Sequence, residues 1–217
     1  MNKNGPNWQS LRQKLRRSLQ QACRLDPGLK SVIAEYGWPE PRYRNNSFET
    51  LVQVIVSQQL STHAAAAIAA RVKTSCRGNI TWRKILNRSE QQLRDCGLSY
   101  RKIEYAKELA MAVKTGVIDF DELTAMTTEE VTDKLTAVRG FGVWTAEIYA
   151  MFALNHKDIY PKDDLALQVA VGRYYRLPER PTPKETAALS RKWSPHRTAV
   201  ALLMWKYYGS TTLQSKL

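Results

Sequence analysis

Two short segments hold the residues whose types and spacing could do chemistry. The first runs Leu135-Thr136-Ala137-Val138-Arg139-Gly140-Phe141-Gly142-Val143-Trp144-Thr145-Ala146. One helix ends, two glycines flank a single apolar residue, and a second helix begins. Glycine at positions 140 and 142 permits positive φ and removes side chains that would block close approach. Phe141 can tuck between the two helices as an anchor. The turn then exposes backbone N–H groups beside the positive end of the second helix. Such a nest binds an anion, and for a basic protein a DNA phosphate fits. That contact positions a partner without reading its bases. Glycines at a helix end also serve as plain C-caps, so the weight rests on the full pattern L-x-x-V-x-G-F-G-x-x-T-A.

The second segment lies beyond an apolar helix and reads Tyr160-Pro161-Lys162-Asp163-Asp164-Leu165-Ala166-Leu167. A proline followed by acids ahead of an apolar run marks a helix N-terminus. One carboxylate there would simply cap the helix. With two side by side, one can cap while the other points elsewhere.

Charge narrows the partner. Lys and Arg number 33 against 20 Asp and Glu, a net charge of +13. A balance this basic suits a polyanion, of which nucleic acid is the commonest, although a solubilising face would also use it. The excess is uneven: Arg12, Lys14, Arg16, Arg17 and Arg24 crowd the first stretch of chain, which has no acid. Cys23, Cys76 and Cys96 form no CxxC pair and no disulfide framework, and His63, His156 and His196 are equally scattered. No zinc or iron–sulfur ligand set can be assembled from such spacing. The longest apolar runs, Ala64 to Ala70 and Ala199 to Trp205, fall well short of the roughly 18 residues of a membrane helix. The N-terminus has no apolar signal region. The expected setting is therefore the cytoplasm, at the nucleoid if the source is bacterial.

The elements that must carry these residues read as helices throughout. Phe48, Leu51, Val52, Ile55 and Val56 form an i, i+3, i+4 stripe. Capping boxes are expected at Ser89 with Gln92, Asp119 with Glu122, Thr127 with Glu130, and Thr182 with Glu185. Thr182-Pro183 and Ser194-Pro195 each place a cap before a proline at the first helical position. No alternating strand-like segment stands out. The expected helices are 10–24, 29–35, 48–74, 82–86, 90–96, 99–115, 120–124, 128–137, 143–155, 164–175, 184–192 and 195–208. Short helices joined by short turns predict an all-α globule.

The hairpin and the acidic loop together resemble the helix-hairpin-helix DNA glycosylases, and most closely the AlkA-type and Mag-type 3-methyladenine DNA glycosylases in their compact form. Four stretches carry the resemblance in order: FETLVQVIVSQQLSTHAAAAIAARV, GLSYRKIEYAKELA, VRGFGVWTAEIYAMFAL with PKDDLAL, and WSPHRTAVALLMW. The resemblance implies two helical lobes with a DNA-binding cleft between them. A central lobe would span 48–160, with the hairpin at about 135–146, and a second lobe would combine 1–47 with 161–217. It also implies a monomer acting on duplex DNA that carries damaged bases, in base excision repair.

Carried over position by position, the catalytic aspartate falls on Asp164, leaving Asp163 for capping or support. Gly140, Phe141, Gly142 and Thr145 fall on the phosphate-binding hairpin. Gln59 falls on the residue that fills the gap after base flipping, with Leu60 as a second wedge. Trp144 and Trp205 fall on the walls of the base pocket. Tyr149 is a further pocket candidate, although related enzymes often carry the tyrosine one position earlier, where this chain has Ile148. Bifunctional relatives place a nucleophilic lysine where this chain has Trp144, so no Schiff base is expected there. No cofactor and no catalytic metal is implied, only a structural monovalent or alkaline cation on the carbonyls of Thr136, Val138 and Phe141. The activity implied is release of alkylated purines of the 3-methyladenine and 7-methylguanine type. A glycosylase of another base specificity, a non-catalytic helix-hairpin-helix DNA-binding protein and a helix-turn-helix regulator are the competing readings. Asp164 and the aromatic residues favour the enzyme.

Overall fold

The computed structural model describes residues 6–214. Among them every regular element is a helix. Among the described residues, no helix is long and apolar enough to cross a membrane. The chain divides into two compact units: the middle, Arg44–Leu154, and the two ends, up to Tyr43 and from Asn155 onward. The divisions fall a few residues before those expected at 47/48 and 160/161.

The middle unit contains α3 (Phe48–Ser57), α4 (Thr62–Ser75), α5 (Trp82–Leu86), α6 (Glu90–Asp95), α7 (Tyr100–Lys114), α8 (Phe120–Ala125), α9 (Thr128–Thr136) and α10 (Val143–Phe152). Helix α3 is its axis. Besides the expected stripe, Val54 is also buried, as befits a helix enclosed on more than one face. Helices α4 and α7 pack on it, and α9 packs on α10 through the hairpin.

The expected single helix over 48–74 is two helices. The break falls at Gln58–Ser61, where Gln59 takes a positive φ of 56°. Ser61 then starts α4 by accepting from the Ala64 N–H at 3.2 Å. Apolar periodicity runs straight across this point, but a serine hydroxyl offers the next helix a cap and so favours a break. Helix α10 likewise stops at Phe152 rather than at 155.

The terminal unit contains α1 (Trp8–Leu25), α2 (Leu29–Tyr36), α11 (Leu165–Tyr174), α12 (Pro183–Ser190), a 3₁₀ turn (Arg191–Trp193) and α13 (Arg197–Gln214). Helix α13 is its core: Ala199 through Met204 are all buried, and α1, α2 and α11 pack on it. The reciprocal capping boxes form at Ser89/Gln92, Thr127/Glu130 and Thr182/Glu185. Asp119 caps α8 alone, because Glu122 turns to Lys134 at 2.9 Å. Ser194-Pro195 does not open α13, which begins at Arg197. The carboxylate of Asp158 does that work, accepting from the Arg197 N–H at 3.3 Å, from its guanidinium at 2.7 Å, and from Ser194 Oγ at 2.6 Å.

Beneath α1 lies a buried polar knot. Trp193 is fully buried among Tyr160, Tyr174 and Tyr175, and its indole N–H donates to Asp26 Oδ2 at 2.8 Å. Lys192 reaches the same oxygen at 2.8 Å. Burial works to raise the Asp26 pKa, but the donors Lys192, Trp193 and Tyr174 together hold it below the usual carboxylate range. Asp26→Ala should leave the Trp193 N–H without its partner and cost about 1–3 kcal/mol, lowering Tm by several degrees. Because the folded carboxyl titrates low, its contribution is present above the ordinary aspartate pKa and fades as pH falls through the folded value. Thermal melts should therefore separate parent and variant at neutral pH and bring them together in acid.

Candidate functional site

In the terminal unit, the loop before α11 fixes Asp164. The Asp164 N–H bonds back to Pro161 O at 3.1 Å, and buried Gln168 donates its amide to Lys162 O at 2.8 Å, so the loop is held from both ends. Asp164 itself caps α11: Oδ1 accepts from the Leu167 N–H at 3.0 Å. The same oxygen accepts from the indole N–H of Trp205, on α13, at 3.1 Å. An ionised carboxylate is an acceptor only, and both contacts come from donors at the positive end of a helix or on a rigid ring. The side chain stays half-buried. Its charge reaches Tyr160, whose phenol pKa is raised first by burial and then by Asp164. Asp163, expected as the cap or support, is exposed and leaves the cap to Asp164. Over the indole of Trp205 lies the guanidinium of Arg42, 4.9 Å from the ring centroid.

In the middle unit, Gln59 and Trp144 share the wall of one depression of about 360 Å³, with Gln58, Arg101, Lys102 and Thr145 around them. Gln59 and Leu60 are exposed at the turn between α3 and α4. Two side chains that the sequence reading did not single out hold this turn. Gln58 donates its amide to Gly140 O at 2.7 Å, tying the turn to the glycine hairpin. Lys102 on α7 donates to Val56 O at 2.7 Å and Gln58 O at 2.8 Å, serving the orphan carbonyls at the end of α3. Burial draws the Lys102 pKa below the usual lysine value. Lys102 sits in a matched stretch, but only the fold reveals which carbonyls it reaches.

The glycines of the hairpin have different jobs. Gly140 has φ +95°, and a Cβ there would collide with the Tyr105 ring. Gly142 does not use the positive φ that glycine permits: its φ is −96°, and no atom lies within 4 Å of where its Cβ would point. Gly142 is the N-cap of α10 and supplies no side-chain cap, so the first-turn amides of α10 are not served by that residue. Phe141 is buried, and its N–H bonds to Val138 O at 3.2 Å inside the turn. Thr145 is buried as well. Tyr149 cannot wall a pocket: it is fully buried within the middle unit, and its hydroxyl donates to Asn46 Oδ1. Burial raises its phenol pKa. Among the described residues, no group of His, Cys, Asp and Glu could hold a metal ion, and the three cysteines are buried and free.

Lys102→Met should keep the apolar stem in place and remove both carbonyl contacts. A loss of about 1.5–3 kcal/mol is expected for hydrogen bonds from a charged donor. Hydrogen exchange should accelerate at residues 57–61 more than elsewhere in the middle unit.

Residues 52–196 match the HhH-GPD superfamily of base excision DNA repair proteins. The chain is 34% identical over 188 residues to DNA-3-methyladenine glycosylase 1 of Schizosaccharomyces pombe, covering 84% of this chain and 82% of the relative. Its fold is similar to the S. pombe 3-methyladenine DNA glycosylase solved with abasic DNA, with a TM-score of 0.79 at 33% identity over 88% of this chain and 95% of that one. It is also similar to a DNA-3-methyladenine glycosidase from Bacillus halodurans, with a TM-score of 0.81 at 33% identity over 91% of each chain.

Proposed function

Because the chain belongs to the HhH-GPD superfamily of base excision DNA repair proteins, we propose that it is a monofunctional DNA glycosylase that releases alkylated purines of the 3-methyladenine and 7-methylguanine type. The observation that carries this reading is the half-buried carboxylate of Asp164, locked by the indole N–H of Trp205 and by the first turn of α11. A DNA-binding module would use the helix cap alone; the added bond from the Trp205 indole favours the enzyme.

A base inside a duplex is out of reach, so it must first leave the stack. Gln59 and Leu60 stand exposed on a turn pinned by Lys102 and Gln58, which suits a plug that enters the gap. Alkylation at N3 or N7 makes the purine cationic, and an electron-rich ring such as that of Trp144 attracts it, while Trp205 offers a stacking face beside Asp164. As the N-glycosidic bond breaks, its electron pair leaves with the base and positive charge grows on the sugar. Asp164 stabilises that charge as a fixed anion. Water then adds at the sugar carbon and releases its proton, which leaves an abasic site. Trp144 stands where an attacking amine would be needed for strand cleavage. The amides at the start of α10 beside Gly142 take a DNA phosphate. The uncharged oxygens of Thr136, Val138 and Phe141 suit a structural monovalent or alkaline cation; Val138 O already accepts one hydrogen bond, from Phe141, and keeps a second lone pair.

Duplexes carrying a single alkylated purine separate these points. The parent should release free base without nicking the strand, whereas a borohydride-trapped imine would overturn the monofunctional reading. Asp164→Asn should slow release by at least about 100-fold, and release at the parent rate would remove Asp164 from the mechanism. Gly142→Asp should act in two directions at once. Aspartate is a better N-cap than glycine by a few tenths of a kcal/mol, so Tm should hold or rise, while affinity for abasic DNA should fall. Unchanged affinity would place the phosphate elsewhere.

A further inference from the structure

The contact between Arg42 and Trp205 lies outside everything the reaction scheme uses. Arg42 is exposed, in the irregular stretch after α2, and its guanidinium lies 4.9 Å from the centroid of the indole whose N–H holds Asp164. An indole face attracts one cation well. Here that attraction is already met by the protein's own arginine.

Purine lesions fall into two charge classes. Bases alkylated at N3 or N7 carry a fixed positive charge, whereas deaminated purines such as hypoxanthine and etheno-bridged adenines are neutral. A cationic base that stacks on Trp205 must either push the guanidinium off the ring or share the ring with a like charge. The separation in the second case is less than about one Debye length, so salt screens the repulsion only in part. A neutral base meets no such repulsion, and the planar guanidinium can stack on it.

We propose that Arg42 is a specificity-determining residue that shifts this site away from cationic bases and toward neutral purine lesions. The proposal rests on the reading of Trp205 and Asp164 as the base-contacting and catalytic groups. The charge of the guanidinium, more than its shape, carries the effect.

Single-turnover base release should be measured on duplexes carrying 7-methylguanine and on duplexes carrying hypoxanthine, with the parent, Arg42→Ala, Arg42→Gln and Arg42→Lys. The ratio of the two rates is the readout, since any general loss of folding or DNA affinity divides out of it. The 7-methylguanine to hypoxanthine ratio should rise about three- to tenfold in Arg42→Ala and Arg42→Gln, as expected for removing one like charge several ångströms away across a water-like dielectric, which the exposure of Arg42 provides. It should stay near the parent value in Arg42→Lys. A ratio that is unmoved or lower in both neutral variants overturns the role of Arg42 and leaves the glycosylase reading standing. A parent that releases neither base overturns the glycosylase reading, and this proposal with it.

Discussion

The bond from the Trp205 indole to the Asp164 carboxylate is the constraint that gives the terminal unit its chemical meaning. As the proposed stabiliser of a short-lived sugar cation, this carboxylate has to stay charged, still and partly open to the partner. Solvent would supply the charge but not the stillness, and a buried site would supply the stillness but penalise the charge. Capping α11 and accepting from a ring N–H reconcile the demands at Asp164, because both donors favour an acceptor-only group and neither donor can swing away. The cap on its own, seen in isolation, would look purely structural. Trp205 is what ties the cap residue to an aromatic surface on a different helix.

The middle unit solves a different problem, that of stiffening an exposed turn. The residues between α3 and α4 include one in the left-handed region, which is costly for glutamine unless surrounding contacts enforce it. Lys102 enforces it from α7, and Gln58 binds the turn to Gly140. The exposed turn and the hairpin are therefore parts of one rigid arrangement. Gly140 completes it by lying flush against Tyr105, while Gly142 leaves the start of α10 open. Two glycines separated by one residue thus sit in different surroundings, one packed against a ring within the protein and the other facing open space.

Charge enters at two scales. The net +13 attracts a polyanion from a distance, but parts of the basic N-terminal stretch are also spent internally: Arg12 pairs with Glu40 at 2.7 Å, and Arg16 lies over the Trp38 ring. A single guanidinium at Trp205 acts over a much shorter range, 4.9 Å from the ring centroid. Gross basicity therefore speaks to the class of partner, and local placement to the proposed preference among bases.

Much of this was legible in the residues alone. Hydroxyl and carboxylate caps act within a few residues, so the starts of α6, α9, α11 and α12 could be read directly, as could the hairpin, whose two glycines and flanking apolar residues are all local. The side-by-side Asp163 and Asp164 pointed to a helix start with chemistry attached. The cap expected of Asp163 fell to Asp164, whose bond to Trp205, far along the chain, no local pattern announced. Periodicity also ran straight through Gln58–Ser61 and hid a break that Lys102 and Gly140 sustain from other helices. Tyr149 had the right type and neighbourhood for a pocket wall, and only packing turned it into the core toward Asn46. Local hydrogen-bond signals and apolar spacing thus determined the helical elements and the candidate chemistry. The tertiary structure decided which atoms face each other, because hydrogen bonds and ring contacts between distant residues leave no trace in spacing.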